Sequence, residues 1–187
     1  MQQTVPLEAG KFYHVYTRGN NKETVFVEER NYEYFLQLYL KYITPFADTF
    51  AYCLLRNHFH FLIRVKEVAT IQTSQVLKTC EVLPAHMSKQ FSNLLNAYTK
   101  AINSAYGRTG SLFQERFGRI EVTSPGYFTR LIYYIHFNPQ KHGFVEDFRD
   151  WPHSSYHSFT SLNKRTNLKR EEVLEWFGGV KWYQDFH

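Results

Sequence analysis

The residues in this chain best equipped for chemistry are His58 and His60, separated by Phe59. Side chains alternate between faces along an extended strand. Phe59, Phe61, Ile63 and Val65 therefore share one face, wholly apolar and bound to be buried, and His58 and His60 share the other. The apolar run fixes the register, because a slip of one residue would exchange the two faces. Two imidazoles side by side can hold one metal ion, although a His-x-His pair by itself also describes two partly buried histidines. A second pairing lies further along. After Pro125, Phe128, Leu131, Ile132 and Ile135 form an apolar stripe at helical spacing. At about 100° per residue, Tyr134 and Asn138 stand about 40° apart on one flank of that stripe, while Tyr133 lies about 140° from Asn138. Tyr134 and Asn138 can face a common target that Tyr133 cannot reach. Helix geometry alone nevertheless favours a plainer account, since the chain has 14 tyrosines and Asn before Pro is an ordinary helix ending.

The elements that must hold these residues are legible in outline. Lys11 to Arg18 alternates and predicts a strand, closed by a turn at Arg18-Gly19-Asn20-Asn21. Glu28 to Ile43 predicts a helix, with Tyr32, Phe35, Leu36, Tyr39, Leu40 and Ile43 as its apolar positions and Pro45 as its stop. Thr49 to Leu55 and His58 to Val65 predict a hairpin turning at Arg56-Asn57. Residues 67–84 read as a loop or lid, His86 to Tyr106 as a long amphipathic helix, and Phe117 to Val122 as a short strand. Ser124 caps and Pro125 opens the helix that carries Tyr134, which is expected to end at Asn138-Pro139. The order β-α-β-β-α-β plus one further helix is the split βαβ, ferredoxin-like pattern of an α+β fold. It predicts an antiparallel sheet with two helices on one face and the other face free for a site. Residues 1–150 would form the catalytic domain, and 151–187, with a charged helical stretch near Arg170 to Phe177, an extension packed on or flanking it.

Composition narrows the classes of function. The chain has 187 residues, 43% of them hydrophobic, with 17 Phe, 14 Tyr and 3 Trp, so it can bury a core and is not a disordered chain. Cys53 and Cys80 make neither a disulfide framework nor a C-x-x-C zinc clip, which points to a reducing, cytoplasmic setting. The first twenty residues lack an apolar signal region, and the longest apolar run, Phe50 to Leu55, is far too short to span a bilayer. The net charge is +5, and residues 84–145 hold all of the excess: seven basic residues against two acidic, interleaved with Tyr and Phe. Cations beside aromatics suit single-stranded or unpaired nucleic acid, through phosphate contacts and base stacking. A solvated basic face accounts for the charge as readily.

Four ordered segments resemble a known family. They are Tyr13-His14-Val15 through Arg18-Gly19-Asn20-Asn21; Ala51-Tyr52-Cys53-Leu54-Leu55-Arg56-Asn57-His58-Phe59-His60-Phe61-Leu62-Ile63; Gly110-Ser111-Leu112-Phe113-Gln114-Glu115-Arg116-Phe117; and Tyr134-Ile135-His136-Phe137-Asn138-Pro139 with Lys141-His142-Gly143. They are similar to the first strand and turn, the hairpin, the approach to the fourth strand and the nucleophile helix of the HUH (histidine–hydrophobic–histidine) single-strand DNA transposases with one catalytic tyrosine. Within that group the match is to the REP-associated tyrosine transposases, over residues 12–157.

The resemblance implies that Tyr134 is the nucleophile and that His58, His60 and Asn138 hold a divalent cation, Mg²⁺ or Mn²⁺. Relatives often carry Gln where this chain has Asn138. It further implies cleavage and rejoining of single-stranded or hairpin DNA, at repeat or mobile-element ends, through a 5′-phosphotyrosine that conserves the bond energy. Such a protein would associate with the nucleoid when bound to DNA and has no membrane partner; relatives occur as monomers and as homodimers. Arg116, Arg119, Lys100, Lys89, Arg18 and Lys22 are the candidates for DNA phosphates. Two other readings stay open: a hairpin-binding protein that no longer cuts, and an unrelated small metallohydrolase that adds a carboxylate to the His pair. The second is weakened by the lack of an acidic residue near the pair and of an H-E-x-x-H motif.

Overall fold

Alternation along one strand, β3 (His58–Val65), sets the layering of the molecule. The structure, a computed structural model, describes residues 5–67 and 82–187. On one face of β3, Phe59, Phe61, Ile63 and Val65 are buried. They meet α1 (Glu29–Tyr42), where Phe35 lies 5.1 Å from Phe59 and Tyr39 stacks on Phe61 at 4.2 Å, measured between ring centroids. A second helix, α2 (Val82–Tyr106), completes the layer through Tyr98, edge-on to Phe35 at 5.1 Å. The remaining strands are β1 (Phe12–Arg18), β2 (Ala47–Leu55) and β4 (Gly118–Val122). The sheet order is β2-β3-β1-β4 and every pairing is antiparallel, the α+β arrangement expected of a split βαβ chain.

The other face is not free. Helix α3 (Pro125–Lys141) lies across it, and Phe128 wedges between Phe12 and Phe50 at 5.3 and 5.5 Å. The reason is the apolar stripe of α3: Phe128, Leu131, Ile132 and Ile135 must all leave water, and α1 and α2 already occupy the opposite face. A bulge in β2 between Thr49 and Ala51 helps. It leaves Thr49 pointing to α1, where its hydroxyl meets that of Tyr39 at 2.8 Å, and sends Phe50 to the α3 side.

Helix ends follow local chemistry, with some departures from the expected bounds. Asn31 Oδ1 accepts from the backbone N–H of Val27 and Glu28 at 2.9 Å each, closing a capping box on α1. Ser124 Oγ accepts from Tyr127 N–H at the start of α3. The stripe of α1 is centred on Phe35, so Leu38, about 60° away, is buried and Leu40, about 140° away, is 42% exposed. Leu40 is thus no core position. Helix α2 begins at Val82, ahead of the expected His86, and most of the segment read as a loop or lid lies outside the described residues, as does Cys80. Pro139 does not end α3, which continues to Lys141. The proline removes one i→i−4 bond, and Asn138 Nδ2 adds one in the same turn by donating to the Tyr134 carbonyl at 2.7 Å.

The C-terminal residues pack on this frame. Trp151 Nε1 donates to the Leu54 carbonyl at 2.9 Å, and Leu54 N–H to the His153 carbonyl at 2.9 Å. Three short helices follow: α4 (Tyr156–Thr160), α5 (Arg170–Phe177) and α6 (Val180–Phe186). Glu172 of α5 pairs bidentately with Arg64 of β3. No helix among the described residues is long and apolar enough to cross a membrane.

The layer between β3 and α1 should dominate stability. Phe61→Ala is expected to lower the unfolding free energy by about 3–5 kcal/mol, the usual loss for a fully buried phenylalanine, as read from urea denaturation. A loss below about 1 kcal/mol would mean that this layer is not the core.

Candidate active site

The face of β3 opposite Phe59 and Phe61 carries His58 and His60, buried to 4% and 6% exposure. Their rings stand nearly perpendicular, 5.2 Å apart. On the neighbouring strand β1, Tyr16 lies opposite His60 and Arg18 opposite His58, so these side chains share the face. Each imidazole has one nitrogen engaged. His58 Nδ1 lies 2.6 Å from Asn57 Oδ1, and the same amide donates from Nδ2 to the Lys22 carbonyl at 3.4 Å. That orientation leaves Asn57 Oδ1 as acceptor, so His58 carries its proton on Nδ1 and a lone pair on Nε2. His58 Nε2 is buried and has no hydrogen-bond partner. His60 Nδ1 lies 2.9 Å from Nε2 of His14, a buried residue of β1 whose ring stacks on it at 5.0 Å. One of the two nitrogens donates to the other across this contact, so the pair shares a single proton between the rings.

Burial sets the charge state of this cluster. It pushes His58 down to about 3, helped by the nearby His142 and Arg18, and His14 down to about 4. Burial also holds His60 well below the usual range, with the surrounding histidines and Arg18 adding to the effect. All three are neutral at physiological pH, the form in which an imidazole can ligate a metal.

Helix α3 brings Tyr134 to this cluster. Its ring lies 5.7 Å from that of His60 and 6.2 Å from that of His14. Tyr134, His58 and His60 line one cavity of about 530 Å³, together with Arg18, Arg116, Gln114, Lys141 and His142 among others. Lys141 Nζ stands 4.7 Å from the centre of the Tyr134 ring, and the His142 ring 4.8 Å from that of His58. Among the described residues, Arg18, Arg116 and Lys141 have no ion pair, and no carboxylate lines the cavity, so its positive charge is unneutralised. Tyr133 points elsewhere, stacking on Phe137 at 5.4 Å and meeting Phe186 of α6 at 6.0 Å. Asn138 is fully buried and does not line the cavity; while its Nδ2 is bonded to Tyr134, its Oδ1 has no partner.

The basic candidates divide by face. Arg18 and Arg116 line the cavity. Arg119 does not: it points to the α2 side of the sheet, where Nη1 donates to Ser88 Oγ at 2.6 Å and the guanidinium lies 4.1 Å from the Phe117 ring centre. Lys89 and Lys100 are exposed on α2, across the sheet from the histidines, and Lys22 sits in the turn after β1 without reaching the cavity. Charge counted along the chain carries no information about faces, and alternation along β4 does. The cavity also holds residues that sequence reasoning passed over. Lys141, seven residues after Tyr134, projects within about 20° of it. Tyr16 alternates onto the same face as Arg18 and lines the cavity, and His14, on that face too, backs His60 without lining it.

Two neutral imidazoles on one face are nitrogen donors of the kind a divalent cation takes, whereas Asn138 is buried and does not line their cavity. His58 Nε2 and Asn138 Oδ1 are both buried acceptors with no partner, a condition costing about 1–3 kcal/mol each unless a cation or water relieves it. Among the described residues, no group of three or more His, Cys, Asp and Glu side chains is arranged to hold a metal, so a carboxylate-completed site is not present there.

Comparison with known proteins bears on this arrangement. A protein of Haemophilus influenzae described as "Putative REP-associated tyrosine transposase" is 30% identical to the chain over 116 residues, 60% of each sequence. A solved structure of a REP-associated tyrosine transposase bound to a REP hairpin superposes with a TM-score of 0.67 over 89% of each chain, at 17% identity. The chain resembles the REP-associated tyrosine transposases. The structural likeness is one of fold, and the chain spans about 60% of the length of the curated relative it matches. No protein-family model matches the chain.

The depressed histidines make stability pH-dependent in a definite sense. Their folded-state affinity for protons is lower than that of the unfolded chain, which takes up protons below about pH 6.5. Stability is therefore complete above that pH and is lost as pH falls toward about 3–4, where His58 and His14 titrate in the folded state. Thermal melts in EDTA should show Tm falling already between about pH 6.5 and 5, above the range of ordinary carboxylates. A flat Tm there would contradict the buried, neutral assignment.

Proposed function

We propose that the chain cleaves and rejoins single-stranded or hairpin DNA by metal-dependent transesterification, with Tyr134 as nucleophile. The observation that carries this reading is a single cavity with unneutralised positive charge in which Tyr134 meets the His58–His60 pair. The likeness to REP-associated tyrosine transposases supports it, and so does a structural neighbour bound to a REP hairpin. His58, His60 and Asn138 would hold Mg²⁺ or Mn²⁺; nitrogen and amide ligands tilt the set toward Mn²⁺ relative to an all-oxygen site. When bound there, the cation supplies charge to a non-bridging oxygen of the scissile phosphate.

The protein's own groups carry the remaining steps. Arg18 and Arg116 seat DNA phosphates in the cavity, because their charge is otherwise uncompensated there. Tyr134 Oη attacks phosphorus in line with the 3′-oxygen. The Tyr134 O–P bond forms, the P–O3′ bond breaks, and the proton given up by the phenol is recovered by the 3′-oxygen. The product is a 5′-phosphotyrosine and a free 3′-hydroxyl. Attack by another 3′-hydroxyl reverses the step and joins a new strand, so no external energy source is required. Lys141 Nζ stands over the Tyr134 ring, a cation beside the attacking group.

Incubation with a hairpin-bearing single-stranded oligonucleotide and Mn²⁺, followed by a denaturing gel, tests the reading. The wild type and Tyr133→Phe are expected to form a covalent adduct. Tyr134→Phe is expected to form none while still binding the DNA. His58→Ala should slow cleavage by about 100-fold or more, in keeping with the loss of several kcal/mol of charge stabilisation, and leave metal-free DNA binding, measured in EDTA, nearly intact. DNA mapped to any tyrosine other than Tyr134, or no adduct with the wild type, would end the assignment. Affinity should fall with salt, and Arg116→Ala should reduce the slope of log K against log salt by about 0.7, the share of one single-strand phosphate contact. An unchanged slope would remove Arg116 from the DNA path.

A further inference from the structure

A second concavity, of about 510 Å³, opens toward the N-terminal half of α3 and shares Tyr16, His60 and Tyr134 with the basic cavity. Its other walls differ in chemistry. Ile120 of β4 and Leu131 of α3 are aliphatic, Tyr127 adds a second aromatic ring beside Tyr16, and Arg130 is the single cation. No carboxylate lines it, and Arg130 has no ion pair among the described residues. Ile120 is 43% exposed, a large aliphatic side chain left uncovered on the sheet. Tyr16 lies across its cross-strand partner Gly118, where an added Cβ would come within 2.3 Å of the ring. Glycine at that position is what allows the tyrosine to lie over β4 as a common wall of both concavities.

We propose that this second concavity is a nucleobase subsite, taking the unpaired base of the nucleotide next to the phosphate at Tyr134. The inference deepens the DNA-cleavage reading and rests on it. A phosphodiester at Tyr134 joins two nucleotides. The basic cavity offers cations for phosphates, and the adjoining one offers what a base requires: two aromatic rings for stacking, aliphatic walls, and one cation at hand for the neighbouring phosphate. Stacking accepts every base, since each has a π-face, so Tyr16 and Tyr127 would hold the strand in place without reading its sequence.

The test uses the full chain in EDTA, so that no cleavage intervenes, with two fluorescent probes of equal length: oligothymidylate and the matching abasic backbone. Anisotropy titrations give the affinities. Tyr127→Ala is expected to weaken oligothymidylate binding by about 5- to 100-fold, the range for one base–aromatic stack, and to leave the abasic probe unaffected. Ile120→Ser, a surface change that spares the fold, should give a smaller loss with the same base selectivity; circular dichroism melts check both variants. Arg116→Ala should weaken both probes alike. If Tyr127→Ala and Ile120→Ser weaken both probes equally or neither, the subsite is refuted and the cleavage reading stands. If the wild type binds neither probe, the subsite falls, while the cleavage reading is decided by the adduct with hairpin DNA and Mn²⁺. If the wild type sediments as a dimer that Ile120→Ser dissociates, a second copy of the chain covers the patch and the subsite is again refuted.

Discussion

Everything at the candidate site depends on β3 being buried on both faces. A strand with one wet face could display two histidines, but they would be hydrated and titrate near neutrality. Here α1 and α2 cover Phe59 and Phe61, and α3 covers the His58–His60 side. Burial then does three things together. It keeps the imidazoles neutral. It obliges their ring nitrogens to find partners, which Asn57 and His14 supply at Nδ1. It also leaves His58 Nε2 as an acceptor without one. A buried lone pair with its tautomer set by a neighbour is the condition in which an imidazole is prepared for a cation before any arrives.

Helix α3 is held from behind as firmly as from the sheet. His136 is fully buried on the side turned from the cavity, with Nε2 2.8 Å from Ser155 Oγ and Nδ1 3.0 and 3.2 Å from His187 Nε2 and the Tyr183 hydroxyl. Trp176 of α5 packs on Phe128 at 4.6 Å. The C-terminal residues thus form a second wall for the helix that bears Tyr134, and Tyr133 belongs to that wall. Adjacent tyrosines therefore have unrelated environments. One is set among the rings of Phe137, Phe148 and Phe186, and the other between neutral histidines and a lysine.

The parts of this that were legible in the sequence share a cause: each is a periodicity within one element. The two faces of β3, the stripe of α3 and the separation of Tyr133 from Tyr134 follow from strand and helix geometry without knowledge of partners. The parts that were not legible depend on which element meets which. That α3 crosses the histidine face follows from α1 and α2 having taken the other, a tertiary fact. Arg119 entered the charge count but faces Ser88, because the register of β4 against β1 turns Ile120, its neighbour, toward the site instead. Asn138 is an intermediate case. Its angular kinship with Tyr134 holds, yet Pro139 leaves the helix intact and the amide spends its Nδ2 on the Tyr134 carbonyl, so only Oδ1 is left to act.

The distribution of charge gives the arrangement a direction. Cations and metal-binding histidines would ordinarily oppose one another, since a nearby positive charge disfavours a bound one. In this cavity the histidines are neutral, and Arg18, Arg116 and Lys141 remain uncompensated among the described residues. The field therefore calls for an anion, and the lone pairs for a cation. Neither alone satisfies the cavity: a cation would face three basic side chains, and an anion would leave His58 Nε2 unmet. A phosphodiester that brings its own negative charge to a bound divalent ion satisfies both at once. On the proposed reading, metal and DNA should accordingly bind with positive coupling, each strengthening the other by the same factor.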